Sequence, residues 1–365
     1  MIRLKEQIEE GVLNPGDPLP TREKLMREHG LSLSTVTRAI SELERQGWLI
    51  SRQGSGTFVV KRNSNNLKQT EEIPLVGLLL PVDRPKSQQL VTEIVHEGME
   101  HNIQFVVMYA PNDEEAELNQ ARLLFEREVK SIVWFPVEPK CHVSVASLFG
   151  KNQCPVILGE KMSEQIAAPC TCVRIDYYGG TRSALEHLIQ EGHRRIAYVG
   201  PRGNESDFGP IMERWNAYKD TMKEMDMWYP HELIFSPALF REWHVHVEQI
   251  GSMFRGHHAP TAVIGYDDSI ALEVIRALSS LGIQVPDNIS VIGHDDHASG
   301  QYSSPRLSTV SPCISEYVDH IIRTLKVSLG LEPAEDDLNN REIVVPQRLL
   351  LRESTIQSDD IVRKN

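Results

Sequence analysis

From residue 75 onward the sequence repeats one pattern, a short apolar run followed by a longer amphipathic stretch, and few folds accept that alternation. Leu75-Val-Gly-Leu-Leu-Leu80 is too short for a helix and apolar on both faces, so it reads as a strand of a parallel sheet covered on both sides. A helix follows with Leu90, Val91, Ile94, Val95 and Met99 on one face. The pattern then recurs through strand 104–109, helix 115–128, strand 131–135 and strands at 156–158, 196–199 and 262–265. Repeated strand–helix alternation predicts an α/β doubly wound parallel sheet. Roughly 280 residues are too many for one such sheet, so two doubly wound subdomains with a ligand cleft are expected. Such sheets bind ligands beyond the carboxyl ends of their strands.

Two or three compact units are the prior for 365 residues. No apolar run approaches the roughly 20 residues of a membrane span. The opening Met1-Ile-Arg-Leu-Lys-Glu-Gln7 lacks the apolar stretch of an export signal, so a cytoplasmic protein is expected. Five cysteines, an odd number, show neither a secreted disulfide framework nor paired zinc knuckles, and are read as reduced thiols. The net charge of −13 is unevenly spread. Residues 1–62 hold ten Lys/Arg against eight Asp/Glu, or +2, which leaves −15 for the rest. That asymmetry has the sign nucleic-acid binding requires, although phosphate affinity depends on where cations cluster.

The first 60 residues follow different rules. Leu4, Ile8 and Val12 fall at helical spacing, and Asn14-Pro-Gly-Asp-Pro18 stops that helix. Thr21 can cap a second helix, Arg22 to His29, closed by Gly30 in a left-handed turn. Ser32 or Ser34 caps a third, in which Val36, Ile40 and Leu43 form the buried stripe. Ser34, Thr35, Thr37, Arg38 and Ser41 then face outward, and short hydroxyls with an arginine at a helix N-terminus suit a DNA major groove. After Gly47, residues 48–52 and 57–60 around Gln53-Gly-Ser-Gly56 predict a two-stranded hairpin, or wing.

Asn14-Pro-Gly-Asp-Pro-Leu-Pro20, Ser32 to Arg38 and Gly54-Ser-Gly-Thr-Phe58 resemble the winged helix-turn-helix of GntR-family regulators over essentially all of residues 1–60. The resemblance implies operator binding as a dimer, with Arg22 or Glu23, Ser34, Thr35, Thr37, Arg38 and Gly54 as contacts. This chain departs from the family at Leu33 and Thr37, where arginine is common, and in the order Arg22-Glu23. The competing reading makes Arg38 and Arg45 solvated helix residues. The polar run 61–72 has no periodic apolar positions. It divides a DNA-binding domain, 1–61, from an effector and dimerisation domain, 74–357, with residues 62–73 as linker.

Within the second domain, Asp176-Tyr-Tyr-Gly-Gly-Thr181, His187 to Gly200, Ile289-Ser-Val-Ile-Gly-His-Asp-Asp296, Pro305 to Val310 and Val345 to Thr355 resemble the effector core of LacI-family repressors, which is similar to periplasmic sugar-binding proteins. The resemblance covers about 74–355 and implies subdomain crossings near 173–177, 300–304 and 331–342. It also implies a small-molecule effector, a sugar or sugar derivative. Vicinal hydroxyls call for a guanidinium and carboxylates, with aromatics against the ring. Arg214 in Glu213-Arg-Trp-Asn-Ala-Tyr218 matches the family's effector arginine, although Ala217 replaces its usual glycine. Asp295 matches the ligand aspartate, Asp267 lies where a cleft amide or acid sits, and Glu160 replaces a common aspartate. Trp243, Phe240 and Asp83 are weaker candidates.

Each has a plainer reading. Asp295, Asp267 and Asp176 can cap the next helix, Arg214 can pair with Glu213 or Asp220 on a helix surface, and Trp215 and Trp243 can be core. His244 and His246, His257 and His258, and His294 and His297 invite a metal, but no cysteine or carboxylate spacing completes a tetrahedral set, so none is expected. No nucleophile elbow, Walker loop or acid pair stands out, so no catalytic residue or cofactor is expected. The head-to-body order resembles that of arabinose-responsive repressors, which implies a homodimer on double-stranded DNA with a pentose as first effector. Two alternatives remain: an aminotransferase-like regulator holding pyridoxal phosphate, which would need a Schiff-base lysine, and a solute-binding protein without operator function.

Overall fold

The computed structural model describes residues 13–14, 16–30, 32–45, 48–52, 56–59, 73–82, 87–111, 113–136, 142–151, 154–159, 170–202, 209–229, 233–236, 247–254, 258–333 and 342–355. The chain forms two units, Met1–Ile73 and Pro74–Asn365.

In the first unit, helix α1 (Arg22–His29) begins where the Thr21 hydroxyl accepts the Lys24 N–H at 3.3 Å and ends at Gly30, whose φ of 63° is left-handed. Helix α2 (Leu33–Arg45) is capped by Ser32, whose hydroxyl accepts the Thr35 N–H at 3.3 Å. Val36, Ile40 and Leu43 turn inward onto Leu19, Leu25, Trp48, Leu49 and Val59. Burying each large aliphatic side chain contributes roughly 1.5–3 kcal/mol. Strands β1 (Leu49–Arg52) and β2 (Gly56–Val59) pair antiparallel, with Leu49 opposite Val59. The Pro-rich segment ahead of α1 does more than stop a helix: it lies along β2. Gly16 N–H donates to the Val59 carbonyl at 2.8 Å, Leu19 N–H to Thr57 at 2.7 Å, and Val59 N–H to Asp17 at 2.9 Å. The helix expected over Leu4 to Val12, the Gly47 stop and the hairpin tip carrying Gly54 lie outside the described residues.

The second unit holds two six-stranded sheets. In chain order its first half comprises β3 (Leu75–Pro81), α3 (Ser87–Glu100), β4 (Gln104–Ala110), α4 (Glu114–Glu126), β5 (Ser131–Trp134), α5 (His142–Lys151), β6 (Val156–Leu158) and β7 (Cys170–Ile175). There follow α6 (Tyr177–Gln190), β8 (Ile196–Val199), α7 (Pro210–Glu224), β9 (Ile234–Phe235), α8 (Val247–Met253), β10 (Ala262–Gly265), α9 (Asp268–Ser280), β11 (Ser290–His294), α10 (Ala298–Gln301), β12 (Ser308–Ser311), α11 (Ile314–Ser328), β13 (Glu342–Val345) and β14 (Arg348–Leu350). The first sheet, ordered β13-β7-β6-β5-β3-β4, is parallel throughout. The second, ordered β14-β12-β11-β10-β8-β9, is parallel except for β14. Both are covered on both faces, which is why their inner strands read as unbroken apolar runs. Leu90, Ile94 and Tyr317 line one face of the first sheet, and Ala121, Leu124, Val145 and Phe149 the other.

The chain passes between subdomains three times. The first crossing, at Asp176 between β7 and α6, falls in the expected interval. The other two do not fall at 300–304 and 331–342. They lie at 312–313, between β12 of the second sheet and α11, which packs on the first, and at 346–347, between β13 and β14. The physical reason is burial. Leu307 and Val310 are fully buried in the second subdomain, so the chain cannot leave before β12 is complete. Val345 is likewise fully buried in the first.

Candidate functional site

The outward face of α2 follows from its buried stripe. With Val36, Ile40 and Leu43 inward, Thr35 and Arg38 are exposed and Thr37 is half-buried. Arg22 and Glu23, in the first turn of α1, are also exposed. The Thr35 hydroxyl lies 2.8 Å from that of Ser32, so the cap and one candidate contact are tied together. The Ser34 side chain, the Arg45 side chain and Gly54 lie outside the described residues. The start of α2, an exposed hydroxyl and an arginine one turn further on offer donors to phosphates and base edges.

In the second unit Arg214 is 1% exposed, on the inner face of α7. It does not pair with Glu213 or Asp220. Its Nη2 donates to Asp295 Oδ1 at 2.5 Å, and its Nη1 donates to the Tyr266 carbonyl at 2.7 Å and to Asp295 Oδ2 at 3.4 Å. The guanidinium carbon lies 5.0 Å from the ring centroids of both Tyr177 and Tyr266. Burial works against this cation, but Asp295 and the tyrosines outweigh it and raise its pKa above the ordinary arginine value. The Nε–H is buried without an acceptor. An orphaned buried donor costs about 1–3 kcal/mol, which an arriving ligand oxygen would offset. Gly200 makes room for this arrangement, since a Cβ there would collide with that of Tyr266.

Asp295 follows β11 and its side chain is only 10% exposed. His297, rather than Asp295, holds the N-cap position of α10. Asp267 does cap: its carboxylate accepts the Ile270 N–H at 2.8 Å at the start of α9. Burial, with Asp295 nearby, raises the Asp267 pKa. Asp268 is fully buried and accepts the His297 N–H and the Thr309 hydroxyl, each at 2.6 Å. Asp176 caps α6 through the Gly179 N–H at 2.8 Å.

Trp215 belongs to an aromatic cluster with Tyr198, Tyr218 and Trp228, at centroid distances of 5.5, 6.2 and 6.0 Å respectively, and is core. Glu160, Trp243, Phe240 and Asp83 lie outside the described residues. His294 is buried between the Gly265 carbonyl, 2.9 Å from Nδ1, and the Thr181 hydroxyl, 3.0 Å from Nε2. Among the described residues no group of three or more His, Cys, Asp or Glu could hold a metal. The two tyrosine faces around Arg214 are parts of this site that sequence reasoning missed. Their only signal is position, one residue after a helix cap and one after β10.

An exposed helix in a winged helix-turn-helix, together with a buried arginine–aspartate pair at the strand ends of a two-sheet receptor, defines a ligand-responsive DNA-binding regulator. Residues 2–59 match the bacterial regulatory proteins of the gntR family, and residues 185–355 the periplasmic binding protein-like domain. The chain is 24% identical over 333 residues to the arabinose metabolism transcriptional repressor of Geobacillus stearothermophilus, spanning 89% of this chain and 85% of that protein. It is also 24% identical over 371 residues to the repressor of the same name from Halalkalibacterium halodurans, spanning 98% and 95%. A crystal structure of a LacI family transcriptional regulator from Lactobacillus casei with bound sucrose is 26% identical at a TM-score of 0.63, over 77% of this chain and all of that one. The chain is thus a hybrid regulator, with a gntR-type head on a LacI-like, periplasmic-binding-protein-like effector domain. Among the described residues no helix is long and apolar enough to cross a membrane.

Proposed function

We propose that this protein is a homodimeric cytoplasmic repressor whose hold on its operator is set by a small carbohydrate, a pentose in the first instance, and that it catalyses no reaction. The observation carrying this reading is the Arg214–Asp295 pair between two tyrosine faces, beside strand ends in a chain that also bears a DNA-reading head. A guanidinium and a carboxylate suit vicinal hydroxyls, and tyrosine faces suit the apolar face of a sugar ring. Asp267 and Glu160 complete the polar set. Arg22, Ser34, Thr35, Thr37, Arg38 and Gly54 contact the operator. The names of the two relatives, and the sucrose bound to the Lactobacillus casei regulator, support the ligand class.

The test is binding of the whole chain to the DNA upstream of its own gene, at stated salt, with pentoses, hexoses and their phosphates added one at a time. One compound should shift affinity by about tenfold or more, a coupling of about 1.4 kcal/mol. Operator binding that no sugar shifts would remove the carbohydrate assignment and leave the regulator.

A further inference from the structure

Two successive residues after β11, Asp295 and Asp296, have φ of 97° and 52°. Neither is glycine. Left-handed backbone is uncommon at non-glycine residues and persists where the surroundings hold it. The backbone N–H groups of this turn are anchored: Asp295 to the Val310 carbonyl at 2.9 Å, Asp296 to the Thr309 hydroxyl at 3.3 Å, His297 to Asp268 at 2.6 Å. The turn's other side-chain tie of opposite charge comes from far along the sequence. Arg352 Nη2 donates to Asp296 Oδ1 at 2.5 Å, and Nη1 donates to the Leu307 carbonyl at 2.9 Å.

Arg352 is itself held in place. Its backbone N–H donates to the Ser308 hydroxyl at 2.8 Å. Two residues on, the fully buried Ser354 donates its hydroxyl to the Val291 carbonyl at 2.6 Å and accepts the Ser308 N–H at 2.8 Å. The segment after β14 is thus sewn to β11 and β12, the two strands that carry the turn. Gln301 also reaches Asp296 Oδ1, at 3.4 Å, but brings no charge.

We propose that Arg352 is a positioning residue of the effector site: by gripping Asp296 it holds the left-handed turn that aims the Asp295 carboxylate at Arg214. Arg352 is separated from the Arg214 guanidinium by the Asp295–Asp296 turn and acts through the backbone. This inference rests on the reading of Arg214 and Asp295 as the effector site.

The experiment uses the full chain in four forms: wild type, Arg352→Gln, Arg352→Gln with Asp296→Gly, and Arg214→Met. Crystal structures without sugar give the Arg214–Asp295 geometry, and calorimetry with L-arabinose and with sucrose gives affinity. In Arg352→Gln the pair should open beyond hydrogen-bond distance, and sugar affinity should fall about tenfold or more, the scale of one strained residue. Glycine adopts a φ of +52° at no steric cost, so adding Asp296→Gly should restore both. A structural role alone would lower thermal stability without that rescue. An unmoved pair in Arg352→Gln, or a loss that glycine does not repair, overturns the proposal. If Arg214→Met binds sugar as wild type does, the site reading fails instead. Should neither sugar bind the wild type, the crystallographic arm still decides.

Discussion

Replacing Arg214 with methionine keeps much of the side-chain volume but leaves the Asp295 carboxylate, 10% exposed, facing Asp267 with no cation between them. Removing one partner of a buried ion pair costs about 3–5 kcal/mol, because the remaining charge is left desolvated. That is a large share of the 5–15 kcal/mol typical of a folded unit. At roughly 2 °C per kcal/mol for a unit of this size, the melting temperature should fall by about 6–10 °C. Asp295→Asn should cost a similar amount by orphaning the cation. The double variant Arg214→Met with Asp295→Asn should recover most of the loss, since replacing both members of a buried pair is often neutral. Urea denaturation of the whole chain, followed by tryptophan fluorescence, measures all three. With single losses of about 3–5 kcal/mol each and a nearly neutral double variant, the cycle should return a coupling of about 5 kcal/mol or more, whereas single losses that add to within about 0.5 kcal/mol would refute the claim that the two residues act as one unit.

Arg38→Ala should weaken operator binding by about 1–3 kcal/mol and relax preference at one base position if it reads a base edge; an even loss across sequences with a shallower salt dependence would make it a phosphate contact. His193, bonded to the Thr261 hydroxyl at 2.8 Å and the Ser290 hydroxyl at 3.2 Å, has its pKa lowered by burial. Its neutral form therefore contributes stability that is present above the ordinary histidine value of about 6.5 and lost as pH falls through the lower folded value. His193→Gln should flatten the acid limb of a stability profile, and an unchanged limb would assign it to other groups. Burial pushes the Cys154 and Cys170 thiols up to about 11 and about 12, so at pH 8 a maleimide should label them only after denaturant is added, as peptide mass spectrometry would show.

The inner strands of both sheets were legible because burial on two faces leaves no polar position to interrupt them: β3, β5, β8 and β10 all read as apolar runs. Other strands lack that signal. β7 reads Cys-Thr-Cys-Val-Arg-Ile with half-buried positions, and β13 and β14 are short edge strands that are mostly exposed or half-buried. Missing β13 and β14 displaced the third crossing, because their pairing partners, β7 and β12, lie over a hundred and nearly forty residues upstream. The caps Thr21 and Asp176 were legible from local chemistry alone. The site was legible in part. Sequence pattern offered Arg214 and Asp295 separately, but only the fold brings residues 81 positions apart to 2.5 Å. The left-handed turn at Asp295–Asp296 had no signal at all, since a strained position held by a distant arginine looks like any other pair of aspartates.

The crossings bear on how the ligand proposed for Arg214 would move one subdomain against the other. Tyr177, which faces the guanidinium, is the first residue of α6 after the first crossing. Gln347, in the third crossing, packs so closely against Gly180 in the same helix that a Cβ there would collide with its amide oxygen. Glu213, next to Arg214 on α7, reaches back at 3.7 Å to Arg174 on β7 of the first sheet, and Arg174 donates to Glu342 on β13 at 2.5 Å. The residues proposed to bind the effector and the crossing segments therefore share elements, and no long relay is needed between them. Magnitudes rank the parts. The Arg174–Glu213 contact, 3.7 Å long and sharing its arginine with Glu342, is worth on the order of 1 kcal/mol. Carrying a two-state equilibrium from 1:99 to 99:1 takes about 5.5 kcal/mol of differential affinity. The ion pair can set the threshold of a response but cannot drive it. That energy has to come from what the ligand does to the desolvated Arg214–Asp295 pair and its tyrosine walls, where leaving one charge without its partner costs about 3–5 kcal/mol.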